Sequence, residues 1–168
     1  MKIRTETRSD ISSIDTLTYN AFENHPHHEP GANPTEHQII NRLRDANVLT
    51  LSLVAEDETG IVGHVAFSPV TINGHKSNWY GLGPVSVSPE RQNEGIGSQL
   101  IQTGLSLLKA QGIEGIVLLG EPDYYGRFGF QQHPNLTLPD VPPAFFLKLS
   151  LTDTTPTGEV AYHAAFYG

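Results

Sequence analysis

Apolar and polar positions along this chain change period several times, and each change marks an element. Residues 2–7 alternate as a short strand. Ser9 or Asp10 then offers a helix cap, followed by Ile11, Ile14, Leu17 and Phe22 near helical spacing. Residues 24–34, NHPHHEPGANP, hold too much Pro and Gly for regular structure. Thr35 caps a second helix reaching about Asp45, with Gln38 placed for a capping box and Ile39, Ile40 and Leu43 as its apolar stripe. From residue 49, LTLSLVAED alternates as a half-buried strand. A turn at Glu58-Thr59-Gly60 leads to the strand IVGHVAFSPVTI, and Asn73-Gly74 is a two-residue hairpin turn. The strand after it is interrupted at Gly81, Gly83 and Pro84, which predicts a bulge because Pro has no ladder donor.

A helix is expected from about Glu94 to Gln111, with Ile96, Leu100, Ile101, Leu107 and Leu108 on one face and Gly112 as its stop. IEGIVLLG is short and continuously apolar, as in a central strand covered on both faces. EPDYYGRFGF reads as a short helix and turn. A Pro-rich loop and two final strands, AFFLKLSL and GEVAYHAAF, complete the chain. The order is mixed α/β, with an antiparallel meander at its centre and no internal repeat. Its 168 residues suit one domain, 1–168.

Periodicity does not explain RQNEGIGSQLI, residues 91–101, where two glycines open a helix at an entropic cost. The first turn of a helix has N–H groups without internal partners, and the helix dipole adds to their pull on an anion. Gly95 and Gly97 would let a phosphate reach that backbone, with Arg91 adding charge beside it. Equally, Gly95 could simply relax a turn while Gly97 allows close packing, and the segment alone does not choose. Neither standard nucleotide pattern fits. Leu100 stands where a third glycine belongs in a dinucleotide fold, and no Gly-Lys-Ser/Thr is present.

Composition removes other classes. Ten Lys and Arg against eighteen Asp and Glu give a net charge of −8, which lacks the basic footprint of a nucleic-acid binder and mildly favours cationic substrates. With no cysteine, thiolate chemistry, disulfides and cysteine zinc sites are excluded. The polar N-terminus carries no apolar signal core, and no apolar run nears the ~18 residues of a membrane span. A cytoplasmic protein without membrane or nucleic-acid partners is expected. The run His25-Pro26-His27-His28-Glu29 has metal-binding residue types, but its Pro-broken spacing fixes no coordination geometry, and no metal is assigned to it.

Gln92-Asn93-Glu94-Gly95-Ile96-Gly97 resembles the Q/R-x-x-G-x-G/A motif of the GNAT superfamily of N-acetyltransferases. Leu82-Gly83-Pro84-Val85-Ser86-Val87 looks like that family's fourth strand, and Tyr125-Gly126-Arg127-Phe128-Gly129-Phe130 resembles its Y-x-[KR]-x-G-F segment. The run from Pro122 to Phe130 and the ending Tyr162-His163-Ala164-Ala165-Phe166 are similar to the bacterial branch called YhbS-like. The likeness covers essentially the whole chain. It implies a mostly antiparallel central sheet splayed between strands four and five and flanked by helices.

It also implies an activity, the transfer of an acetyl group from acetyl-CoA to a primary amine of a small molecule or peptide. The amine would attack directly, through a tetrahedral intermediate and without a covalent acyl-enzyme. Cofactor contacts would come from Val85, Ser86, Val87, Arg91, Gln92, Asn93, Glu94, Gly95, Ile96, Gly97 and Ser98. Glu94 departs from the basic or neutral residue common there, so its carboxylate should face solvent. Tyr125 aligns with the family's general acid, although taken alone it reads first as a packing aromatic beside Tyr124. Arg127 and Phe128 fit structural roles. Glu121, at a strand end facing the cleft, is the first candidate base, with a solvated Glu as the alternative. His28 and Glu29 fall where the family builds its acceptor pocket. His64 and His75 are expected to be ordinary strand histidines. Many relatives dimerise through exposed edge strands, so a homodimer is one expectation. The competing class is a non-catalytic acyl-CoA-binding or regulatory module; an interaction protein using its sheet edge ranks behind both.

Overall fold

The computed structural model describes residues 1–23 and 33–168. Strand β1 (Lys2–Thr5) is followed by helices α1 (Ile11–Phe22) and α2 (Glu36–Asp45). The meander β2 (Leu51–Asp57), β3 (Gly60–Ile72) and β4 (His75–Val87) comes next, then α3 (Ile96–Ala110) and β5 (Gly115–Leu119). A one-turn helix α4 (Pro122–Tyr125) precedes β6 (Leu136–Thr137), β7 (Phe146–Ser150) and β8 (Gly158–Tyr162). The sheet order is β1-β2-β3-β4-β5-β7, antiparallel except for β4 against β5. Strand β8 takes over the edge of β3 beyond the end of β2, at Val70–Ile72, and β6 pairs with β8 in parallel.

Helix α3 packs on one face, where Ile96, Leu100, Ile101 and Leu108 meet Leu53, Val65, Phe67 and Ile116. Helices α1 and α2 cover the other, through Ile14 and Ile40 against Val54. A further cluster around Trp79, Val117 and Val160 closes the end that carries β8. Gly104 of α3 lies over Phe67, and a Cβ there would fall 2.5 Å from the ring.

Several local expectations are corrected. Strand β2 is not half-buried, because both faces of the sheet are covered and Leu51 through Ala55 are all buried. Leu107 is exposed over 39% of its surface, and Gly104 takes its place on the buried face of α3. Neither Ser9 nor Asp10 caps α1 with a side-chain bond. Asp10 instead closes a capping box on Thr7, accepting the Thr7 N–H at 2.7 Å, and is gripped by Arg4 at 2.7 and 3.0 Å. Gln38 makes no capping box; the Thr35 N–H donates to Glu36 Oε1 at 3.2 Å. The Asn73-Gly74 turn forms as expected, with φ of 53° and 76°. The bulge also forms. Val65 pairs with Val85 and Phe67 with Leu82, leaving Gly83 and Pro84 together opposite Ala66, across a cis peptide bond.

His64 lies in β3, as expected, and is fully buried. Its Nε2 lies 2.7 Å from Ser52 Oγ. The Ser52 hydroxyl donates to Glu6, which Arg44 holds through two bonds of 2.9 and 3.0 Å. The one Ser52 proton points to Glu6, so His64 donates from Nε2 and Nδ1 is its bare nitrogen. Burial pushes the imidazole down to about 4. The unfolded chain, titrating near 6.5, therefore binds the extra proton between those values. The stabilisation is complete above about pH 6.5 and is lost as pH falls toward 4, an expected loss of about 3 kcal/mol. Urea unfolding at pH 7 and 4.5 measures it, and His64→Gln should flatten that part of the profile.

Candidate active site

Strands β4 and β5 pair only at Trp79–Gly115, Tyr80–Ile116 and Gly81–Val117. Beyond Gly81, β4 continues on β3 alone to Val87, while Leu118 and Leu119 of β5 pair with β7. The bulge at Gly83-Pro84 sits where the strands part. The resulting gap opens into a cavity of about 530 Å³ whose lining includes Val85, Glu121, Tyr124, Tyr125 and Phe145. Backbone on the open side of β4 has no strand beside it, which leaves that edge available to an extended ligand.

The cavity's phenol is placed by a tight turn. Glu121 ends the strand region, Pro122 starts α4, and the Glu121 carbonyl accepts the Tyr124 and Tyr125 N–H groups at 3.2 and 3.0 Å. Gly129, at φ 95°, reverses the chain after Phe128. The Tyr125 ring meets Tyr124 edge-on at 4.9 Å and Phe130 at 6.2 Å. It also lies where a Cβ on Gly120 would be, so Gly120 makes room for it. Burial, and then the neighbouring Tyr124, pushes the Tyr125 phenol up to about 12. The Glu121 side chain is exposed at the cavity wall.

Next to this cavity, sharing Val85 and Tyr124, lies a second of about 440 Å³. Its lining includes Val87, Arg91, Gln92, Asn93 and the first residues of α3, from Gly95 to Ser98. Gly95 precedes the helix at φ 86° and supplies no side-chain cap. Asn93 is also left-handed, at φ 66°. On Gly97, the missing Cβ would face Tyr124 Oη at 3.4 Å and Val87 at 3.7 Å.

Arg91 differs from the free cation expected at this position. Its Nη1 binds Asp57 at 2.6 Å and its Nε binds Glu94 at 3.0 Å, so two carboxylates offset its charge. Glu94 is exposed, as anticipated, and Arg91 holds it. Arg127, expected to be structural, packs its guanidinium 4.4 Å above the Tyr124 ring and also lines this cavity. The Tyr124 hydroxyl lies 3.4 Å from Ser98 Oγ. Tyr124, Arg127 and Gly120 are thus the neighbours that sequence reasoning missed. The aromatic pair and the adjacent basic residue were visible, but not which cavity each would reach.

Ser86 turns away from both cavities. Its side chain is buried against α1, with Oγ 3.3 Å from Thr18 Oγ1, so this position offers the cleft backbone only. His28 and Glu29 lie outside the described residues. Among the described residues, no cluster of His, Cys, Asp and Glu could hold a metal. No helix among them is long and apolar enough to cross a membrane.

Residues 2–133 match the acetyltransferase (GNAT) domain family. Over 99% of its length the chain is 35% identical to the uncharacterized N-acetyltransferase YhbS of Escherichia coli, covering 98% of that protein. The crystal structure of a GNAT family acetyltransferase from Brucella melitensis, in complex with acetyl-CoA, is 46% identical. It aligns with a TM-score of 0.86 over 98% of this chain and 97% of that one. The structure of YhbS from Escherichia coli in complex with CoA aligns with a TM-score of 0.88 at 34% identity, over 99% and 92%. The open sheet, with β4 parallel to β5 and helices on both faces, agrees with these matches, and the protein belongs to the GNAT family of acetyltransferases.

Proposed function

We propose that the protein transfers the acetyl group of acetyl-CoA to the nitrogen of a primary amine, with residues 1–168 acting as one domain. One juxtaposition carries this. The β4 backbone at Val85, the Glu121 carboxylate and the Tyr125 phenol border the same cavity, at the gap between β4 and β5. The pyrophosphate would lie at residues 91–98, where the N-terminus of α3 and the bare α-carbons of Gly95 and Gly97 favour an anion. The pantetheine arm would run along Val85 and Val87 as an added strand, also meeting the backbone of Ser86. The two relatives that hold acetyl-CoA and CoA support this assignment.

In this mechanism the ammonium loses a proton to Glu121, and the freed nitrogen attacks the thioester carbon. The Val85 N–H stabilises the oxyanion of the tetrahedral intermediate. As the C–S bond breaks, the sulfur takes the Tyr125 proton, the remaining surplus proton on the new amide nitrogen passes to the phenolate to restore Tyr125, and Glu121 returns its proton to solvent. A phenol pushed up to about 12 keeps that proton at neutral pH. Among the described residues lining the glycine-loop cavity, Arg127, rather than Arg91, is the cation with no carboxylate bound to it. Arg127→Ala is expected to weaken acetyl-CoA binding about fivefold, with a shallower salt dependence, while Arg127→Lys retains most of the affinity. Calorimetric titration at two salt concentrations measures both.

Isothermal titration with acetyl-CoA, NADH and ATP, followed by free-thiol release with a panel of amines, tests the function itself. Selective acetyl-CoA binding with amine-dependent thiol release is expected. No binding of acetyl-CoA would overturn the proposal, and binding without turnover of any amine would leave a non-catalytic acyl-CoA module.

A further inference from the structure

Val85 of β4 and Tyr124 of α4 line both the catalytic cavity and the cavity of the glycine loop. A ligand with one end in each must pass between them. Val85 offers it backbone groups, and Tyr124 offers a phenol that acetyl transfer itself does not use. The Tyr124 ring is held from several sides. The Arg127 guanidinium lies 4.4 Å from its centroid, and Tyr125 and Phe128 meet it edge-on at 4.9 and 5.7 Å. So fixed, the ring carries its hydroxyl over the first turn of α3. Oη lies 3.4 Å from Ser98 Oγ and 3.4 Å from where a Cβ on Gly97 would stand. A side chain longer than alanine at residue 97 would displace the hydroxyl, so Gly97 makes room for the phenol as well as baring the helix backbone.

A separation of 3.4 Å is long for two hydroxyls, whose ordinary spacing is about 2.7–2.8 Å. Among the described residues, neither hydroxyl has another hydrogen-bond partner. Both therefore keep donor capacity for one ligand oxygen placed between them. A charged oxygen gains most from that pair, since bonds to an ionised acceptor are about twice as strong as neutral ones. The same place is favourable to an anion on two further counts, the N-terminus of α3 and the Arg127 guanidinium. Tyr125, the adjacent phenol, lines the catalytic cavity and not the cavity of the glycine loop. The two phenols of the doublet thus face opposite ends of one passage.

We infer that Tyr124 is a further cofactor-binding residue, whose phenol, paired with the Ser98 hydroxyl, donates to a phosphate oxygen of acetyl-CoA where the pyrophosphate gives way to the pantetheine arm. This rests on the cofactor placement proposed above. The test is calorimetric titration of wild type and Tyr124→Phe with acetyl-CoA, and with S-acetylpantetheine, which carries the arm and no phosphate, measured by displacement of CoA. Phenylalanine keeps the ring and its packing on Tyr125 and Arg127, so the urea midpoint should move little. Expected is a fall of about tenfold in the ratio of the two affinities, the loss of one hydrogen bond to a charged oxygen. The fall should be the same at low and high salt, because a neutral donor leaves the number of cations at the phosphates unchanged. Ser98→Ala should reproduce part of it. Combined with Tyr124→Phe it should cost less than the two losses added, as for groups that share one oxygen.

An unchanged ratio, whether both affinities hold or both fall together, would overturn the assignment of Tyr124 and leave acetyl transfer standing. Wild-type protein that binds no acetyl-CoA would overturn both. Wild-type protein that binds acetyl-CoA and acetylates no amine would overturn the transferase reading alone, and the ratio of affinities would still decide the role of Tyr124.

Discussion

Replacing Tyr125 with Phe is expected to lower kcat about 10²-fold or more and to leave the affinity for acetyl-CoA unchanged. The substitution removes one oxygen and one proton from a ring held by Tyr124, Phe128 and Phe130, so packing is retained. In the proposed mechanism, what disappears is the donor for the departing thiolate, an interaction realised only as the C–S bond breaks, and such losses fall on kcat. The ring occupies space left by Gly120. Gly120→Ala should therefore displace the phenol and lower kcat in the same direction with the hydroxyl still present. Stopped-flow or steady-state thiol release measures both variants, and unchanged turnover in Tyr125→Phe would remove the phenol from the mechanism.

Gly95→Glu is expected to weaken acetyl-CoA binding about 30-fold or more, as charge-assisted bonds to phosphate oxygens are obstructed and a like charge is introduced. Its cost to the fold is smaller. No atom lies within 4 Å of where the new Cβ would stand, so there is no clash. The penalty comes from φ of 86°, about 1–2 kcal/mol for an L-residue in the left-handed region. Gly95→Asn, which tolerates that region better, separates backbone strain from obstruction by charge. Titration calorimetry of the three proteins beside their urea midpoints distinguishes the effects; wild-type affinity in Gly95→Glu would place the phosphates elsewhere.

Local signals were legible wherever a short-range physical rule decides the outcome. Asn73-Gly74 adopts its hairpin turn because both residues accept positive φ. Glu36 through Asp45 is helical with Ile40 and Leu43 buried, as its apolar spacing requires. Gly112 and Gly129 both end helical turns in the left-handed conformation. Failures were of a different kind. Alternation in LTLSLVAED suggested one wet face, yet α1 and α2 cover it, and no property of nine residues reveals what will pack on them. Leu107 kept helical spacing with Leu100 and Leu108 but lies at the margin of the contact with the sheet, where Gly104 admits Phe67 instead.

The same division runs through the site. The sequence by itself determined the element order, the bulge at Gly83-Pro84, the glycine loop at 91–97 and the aromatic turn at 122–130, because each rests on the backbone preferences of a few adjacent residues. Only the tertiary structure decided that β4 and β5 stay paired for three residues and then part, bringing Val85 to one cavity with Tyr125. Only it decided that Arg91 is offset by Asp57, distant in sequence, while Arg127 lies over Tyr124 in the cavity of the glycine loop. Charge partners and cavity walls depend on residues far apart along the chain. Their proximity is set by the packing of whole elements, which no local pattern encodes.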